Sequence, residues 1–300
     1  MSSAEAVGGI INYLNQREFE KISPDSYHDR PFYTIEQRIH ADYASFRLGS
    51  LFQPIVQWDE HQRQYTTVAY EALLAAHTAN GLTPLGHALT PLSVFALPND
   101  NSEIIALDRL ARTLHALNFL VQEPFENNDV ALHLNVDPHH LVAVTADHGR
   151  VFEQILRQCG LDPTAIVLEV SEHSIRDKVL LRAAIASWQS RGYRIAIDNF
   201  GREHQQLQRV LDLQPDFIKI DRSLLYAAEQ NQRDRDPLAK IAAKTLAANI
   251  QIIATGIETI AQEQLAQQLG YDRLQGFLLG RPAQNCITLE YTEVAQQKFA

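Results

Sequence analysis

A series of short apolar runs in this chain each carries an acid, an amide or an amine near its end, and these are the side chains that could do chemistry. Glu71 lies in VAYEAL, Asn135 ends VALHLN, Glu169 ends AIVLE and Asp198 ends YRIAID. Lys219 and Asp221 share FIKID, Thr255 ends IQIIAT and Gln275 follows YDRL. Runs of β-branched and aliphatic residues that finish on polar atoms predict buried strands delivering those atoms to one rim. Carboxylate and amide oxygens gathered there suit hard divalent cations. Lys219, an amine among these acids, can be their buried structural partner or part of a functional site.

The elements that must position these residues are legible around them. Residues 1–32 are polar and mixed, ending in SPDSYHDRPF, and are expected to form an arm or linker ahead of a domain covering 33–300. TIEQRIHADYASF predicts a helix; SLFQPIV and YTTVAYEALL predict two strands joined by a hairpin at WDEHQRQ. A loop with a short helix is expected over Thr83–Leu97, then a long helix over SEIIALDRLARTLHALNFLVQ. From Val130 onward strands alternate with helices: VFEQILRQCG and DKVLLRAAIASWQSRG each stop at a glycine, and HQQLQRVLDL, DPLAKIAAKTLAAN and TIAQEQLAQQLG follow. Short connections between them point to a parallel sheet. About eight strands favour a closed (β/α)8 barrel, with an open doubly wound sheet as the alternative.

Composition bounds the function. The 300 residues carry a net charge of −10, which argues against general binding to a nucleic-acid backbone. No stretch is long and apolar enough to span a membrane, and the first residues resemble neither a signal nor a transit peptide. Cys159 and Cys286 make no CxxC spacing and suit a reducing compartment, so a cytoplasmic location is expected. The twelve histidines show no HxxxH or HExxH spacing, and His139, His140 and His204 read as loop residues.

Taken in order, FQPIV, YEALL, LHLNV, VLEVSE, IAIDNFG, FIKIDRSLL, IATGIET and LQGFLLGRP resemble the successive signatures of the EAL family, the cyclic di-GMP phosphodiesterases and their inactive relatives. The resemblance runs from about Arg38 to Ala283. It implies a TIM-like barrel, an α/β fold, whose first strand is antiparallel to the others, preceded by a short N-terminal extension. It further implies hydrolysis of one phosphodiester by paired Mg²⁺ or Mn²⁺ ions, which activate a water and offset charge on the phosphate. Glu71, Asn135, Glu169 and Asp198 match the ligands of the first ion. Lys219 matches the lysine that orients water or phosphate, and Gln275 a glutamine near the same water. Asp221 and Glu172 match acids holding the second ion's waters, and Glu258 is retained beside them. Gln53, Pro54, Asp108 and Pro282 match positions that contact or flank guanine and ribose.

Four departures accompany the resemblance. Asn199 stands where the family has the second aspartate of DDFG, and Thr255 where it has the glutamate of AEGVE. Two dications about 3.5–4 Å apart repel by on the order of 15–20 kcal/mol at an effective dielectric near 20. With two anions replaced by neutral groups, at most one Mg²⁺ or Mn²⁺ is expected and the second site is lost. Ala75 replaces an arginine suited to phosphate, and Arg202, Glu203 and His204 replace small loop residues. Three functions rank in order: a catalytically silent module working through a protein partner; a receptor that binds cyclic di-GMP intact; and an active phosphodiesterase. A homodimer through helices flanking the mouth is a further expectation.

Overall fold

A computed structural model describes residues 3–17, 32–61, 63–78, 90–122, 130–137, 150–158, 160–171, 178–202, 207–271, 273–286 and 291–292. Eight strands close a barrel: β3 (Phe46–Asp59), β4 (Gln64–Thr78), β5 (Ala131–Asn135), β6 (Ile166–Ser171), β7 (Arg194–Phe200), β8 (Phe217–Ile220), β9 (Gln251–Thr255) and β10 (Arg273–Gln275). Strands β4 to β10 pair in parallel sequence, whereas β3 is antiparallel to both β4 and β10 and closes the ring. The expected barrel with one reversed strand is therefore the fold. A long β3–β4 hairpin makes that reversal, because a tight turn can only join antiparallel neighbours.

Upstream of β3 the structure corrects the sequence reading. TIEQRIHADYASF is not helical; it forms β1 (Phe32–Ile35) and β2 (Arg38–Tyr43), an antiparallel extension of β3. Ile39, Ala41 and Tyr43 are buried in strict alternation with half-buried neighbours, the two-residue period of a strand. Glu36 and Gln37, both with positive φ (48° and 65°), make the tight turn between them. The N-terminal stretch is not wholly irregular either. Helix α1 (Ser3–Arg17) buries Val7, Ile11 and Leu14 at i, i+4, i+7 spacing in a cluster with Phe32, Ile39 and Leu107.

The remaining helices are α2 (Pro91–Phe95), α3 (Asn101–Val121), α4 (Arg150–Gln158), α5 (Lys178–Ser190), α6 (Leu207–Leu211), α7 (Arg222–Gln230), α8 (Arg235–Ala247) and α9 (Ile260–Gln268). Asp100 caps α3 by accepting from the Glu103 amide, and Thr259 with Gln262 forms a reciprocal capping box on α9. Gly160, at φ +74°, follows α4, where the Leu161 amide donates to the Leu156 carbonyl. Alternating strand residues face two cores. Ile55, Ala69, Ala131, Val167, Ala196, Phe217 and Ile253 fill the lumen, and a larger cluster around Trp188, Phe119 and Tyr271 packs the sheet against the helices. The lumen is thus plugged at mid-height, which leaves its upper, C-terminal end for polar groups.

Candidate active site

The polar residues above that plug come from the ends of different strands, as the sequence pattern requires. Glu71 (β4), Glu169 (β6) and Asp198 (β7) surround the ammonium of Lys219 (β8). The Lys219 Nζ donates to Glu71 Oε2 at 2.7 Å and to both oxygens of Glu169 at 2.7 and 2.8 Å; Asp198 Oδ1 lies 3.7 Å away. Gln275 Nε2 donates to Glu71 Oε2 at 2.8 Å, and Asn135 Nδ2 to Glu71 Oε1 at 3.1 Å. Of the eight strand-end residues singled out in the sequence, these six form one cluster of polar contacts, Thr255 lines the neighbouring cavity and Asp221 does not.

His133 is a member the sequence reading missed. Its Nδ1 lies 2.8 Å from Glu169 Oε1, while its Nε2 is buried without a partner among the described residues. The signal was available: His133 and Asn135 lie two apart on β5, so both face the lumen. Burial, with the Lys219 charge, pushes the His133 imidazolium well below its ordinary range, so the ring is neutral.

The acids are held at different points of titration. Burial raises the Glu71 carboxyl, but Lys219 and the bonds from Gln275 and Asn135 outweigh it and bring the group to about 2. Glu169 is pushed up to about 7, chiefly by burial and by the Glu71 charge against the pull of Lys219. Asp198 rises to about 6 for the same leading reason, burial. Burial alone would lower the Lys219 ammonium, yet the surrounding carboxylates lift it above its usual value and keep it charged.

Metal-binding capacity follows from this geometry. Among the described residues no group of three or more His, Cys, Asp or Glu side chains is disposed to hold an ion as it stands. The physical reason is Lys219, whose ammonium stands where a cation would. Glu71, Glu169, Asp198 and the Asn135 carbonyl oxygen have the chemistry for one hard cation once Lys219 withdraws and the Asn135 amide turns over. Asn199 and Thr255 are neutral side chains with partners inside the protein. The Asn199 amide donates to Asp198 Oδ2, and the Thr255 hydroxyl donates to the Ile220 carbonyl at 2.7 Å. Asn199 keeps the left-handed backbone (φ +57°) that an asparagine tolerates without a carboxylate.

The other expected residues divide. Gln53 and Glu258 line the smaller lobe of the mouth, a cavity of about 260 Å³ that also touches Glu71, Lys219, Arg222 and Phe277. Asp108 lines a larger lobe of about 510 Å³ between the acids and α2 and α3, beside Phe95, Arg112 and His115. Its carboxylate is already engaged: one oxygen takes two bonds from the Arg112 guanidinium, the other accepts the Asp137 amide. Pro54 alternates with Gln53, shares the strand face of Phe52 and Val56, and lines neither lobe. Asp221 caps α7 by accepting from the Ser223 amide at 2.9 Å and lines neither lobe; Pro282 lies beyond the rim turn and lines neither. Glu172, Glu203, His139, His140, His204 and Cys159 lie outside the described residues.

Residues 36–282 match the family described as the EAL domain. The chain belongs to the EAL domain family. Among curated relatives of this EAL domain, the bifunctional diguanylate cyclase/cyclic di-GMP phosphodiesterase MucR of Pseudomonas aeruginosa is 34% identical over 147 residues, 48% of this chain and 22% of that protein. The probable cyclic di-GMP phosphodiesterase PdeA of Escherichia coli is 29% identical over 167 residues, 55% of this chain and 23% of that protein. The chain thus spans under a quarter of the length of either relative. The solved PaMucR phosphodiesterase, in complex with c-di-GMP, superposes with a TM-score of 0.66 at 26% identity, covering 79% of this chain and 92% of that one. Bacillus subtilis YkuI, in complex with c-di-GMP and calcium, shares the fold at TM-score 0.66 and 23% identity, over 84% of this chain and 59% of that one. No helix among the described residues is long and apolar enough to cross a membrane.

Proposed function

We propose that this EAL domain is a regulatory module of cyclic di-GMP signalling that receives the dinucleotide without cleaving it. The reading treats the domain as residues 33–300, with α1 an extension packed on the barrel. The observation that carries it is the pairing of an intact first-ion donor set with neutral, internally bonded side chains at Asn199 and Thr255. Glu71, Glu169, Asp198 and Asn135 would hold one Mg²⁺ or Mn²⁺, which when bound polarises a phosphate oxygen. Lys219 competes for the same carboxylates, so that ion binds weakly. The two lobes meeting above the acids leave room for a ligand larger than a mononucleotide. Signalling by a domain that does not turn its ligand over requires a protein partner.

The test is turnover with Mg²⁺ and Mn²⁺. The expected result is intact cyclic di-GMP after long incubation, and steady release of linear pGpG overturns the reading. Asn199→Asp with Thr255→Glu is expected to restore metal-dependent hydrolysis, because both anions then return beside Asp198. Tight substrate binding is expected to need Ala75→Arg in addition.

A further inference from the structure

Beneath the acids lies a side chain that packing alone does not explain. His133 on β5 is fully buried and in register with Glu71 of β4, and it stands one side-chain level nearer the apolar plug than Asn135. Its ring brings two polar nitrogens into that surrounding. Nδ1 meets Glu169, while Nε2 has no hydrogen-bond partner among the described residues. A hydrogen bond to a charged group and a buried nitrogen left without one are similar in size and opposite in sign. The ring therefore adds little net stability, and its role is to be sought in what it does to Glu169.

The contact is directional. A carboxylate oxygen accepts, so the 2.8 Å approach places the proton on Nδ1 and leaves Nε2 bare. The ring is also fixed in angle. It lies against Phe217, with centroids 5.7 Å apart and planes at 51°. Phe217 is braced in turn by the guanidiniums of Arg194 and Arg273, whose central carbons stand 5.7 and 4.9 Å from the phenyl centroid.

Glu169 is thereby gripped unevenly. Its Oε1 accepts from His133 at 2.8 Å and from Lys219 at 2.8 Å, whereas Oε2 accepts from Lys219 at 2.7 Å and from no other described residue. When Lys219 withdraws, Oε1 stays bonded to the imidazole and Oε2 is left open. Glu71 has anchors of its own in Asn135 and Gln275, one for each oxygen. The deeper Glu169 has His133 alone besides Lys219. Partners behind a metal-binding carboxylate commonly hold it in this way.

We infer that His133 is a positioning residue of the one-ion site: it keeps Glu169 Oε1 occupied, so that the carboxylate holds its place and offers Oε2 once Lys219 moves off. The inference rests on the reading that Glu71, Asn135, Glu169 and Asp198 accept one Mg²⁺ or Mn²⁺.

Titration of Mn²⁺ with the full chain, followed by the paramagnetic resonance signal of the free ion, tests it. The titration is made in the unaltered chain and in Lys219→Met, where the ammonium no longer competes. In either background His133→Leu is expected to weaken Mn²⁺ binding by about ten- to a hundredfold, the range for losing a partner behind a ligand. His133→Asn, which keeps an N–H close to the position of Nδ1, is expected to restore most of it. A merely structural histidine would move the metal-free melting temperature and leave Mn²⁺ affinity alone. Unchanged affinity in His133→Leu, or an equal loss in both variants, overturns this inference and leaves the one-ion reading standing. Absence of Mn²⁺ binding in the unaltered chain and in Lys219→Met overturns that reading with it. Should His133→Leu fail to fold, nitrogen NMR of the unaltered chain decides: the His133 ring is expected to carry its proton on Nδ1, with a resonance that shifts on adding Mg²⁺, and a bare Nδ1 overturns the inference.

Discussion

At the scale of single residues, the site is governed by one amine among three acids. Lys219 satisfies Glu71 and Glu169 at a largely buried position under the mouth, and removing it leaves those carboxylates uncompensated. Lys219→Met is therefore expected to lose roughly 3–5 kcal/mol, the cost of breaking a buried ion pair from one side. The same substitution frees the oxygens that an ion needs. Mn²⁺ is expected to raise the melting temperature of Lys219→Met by more than it raises that of the unaltered chain, since any ligand favouring the folded state stabilises it. Thermal melts with and without Mn²⁺ decide this, and equal shifts in the two proteins would show that Lys219 does not compete with a cation. The identities of these residues were readable from strand ends, because parallel barrel strands all deliver their C-terminal side chains to one rim. Their partners were not readable. That Lys219 bonds Glu71 and Glu169 at close range while standing off Asp198, and that Asp108 is taken by Arg112, depends on stagger between strands and on rotamers.

At the scale of elements, the β1–β2–β3 meander is stapled to the barrel by one face of α3. Asn118 Oδ1 accepts the Ile39 amide at 2.9 Å, and its Nδ2 donates to the Ile39 carbonyl at 2.7 Å, so the side chain substitutes for a neighbouring strand. One turn earlier, His115 Nδ1 lies 2.8 Å from Ser50 Oγ on β3. Burial lowers the His115 imidazolium to about 4. The folded chain then resists a proton that the unfolded chain accepts near pH 6.5, so the unfolded state binds more protons between those values. Stability is complete above about pH 6.5 and falls as pH drops toward 4, by roughly 3 kcal/mol from this group. His115→Gln is expected to cost little of that acid sensitivity's neutral-pH stability and to flatten the slope between pH 6.5 and 4.5. Urea unfolding at the two pH values measures it; an unchanged slope would mean that His115 titrates normally in the fold.

At the scale of the whole molecule, the part of the fold made by strand–helix repetition was legible and the part made by packing was not. AIVLE, YRIAID and FIKID announce buried strands because they are short, rich in β-branched and aromatic residues, and too brief for a helix. TIEQRIHADYASF misled because it contains good helix formers, whereas the edge of β3 rewards its two-residue alternation. Helix α1 hid for the opposite reason: Gly8 and Gly9 lie inside it, each disfavouring helix by about 1 kcal/mol against alanine. Burial outweighs them. Val7, Ile11 and Leu14 sit against the cluster that contains Leu107, Leu110 and Leu114 of α3, and each buried side chain contributes roughly 1.5–3 kcal/mol before ordering costs. Asn15 adds a pair of bonds to the backbone of Phe32, at 2.8 and 3.1 Å, which tie the helix to the first strand. A chain shortened to begin at Asp29 is therefore expected to unfold at lower urea with an unchanged barrel, and to bind more of a dye that reports exposed apolar surface. The adjoining face of α3 lines the larger lobe through Asp108, Arg112 and His115, so loss of α1 should also loosen that wall. If the shortened chain matches the full one in both midpoint and dye binding, α1 is an attached arm and not part of the folded unit.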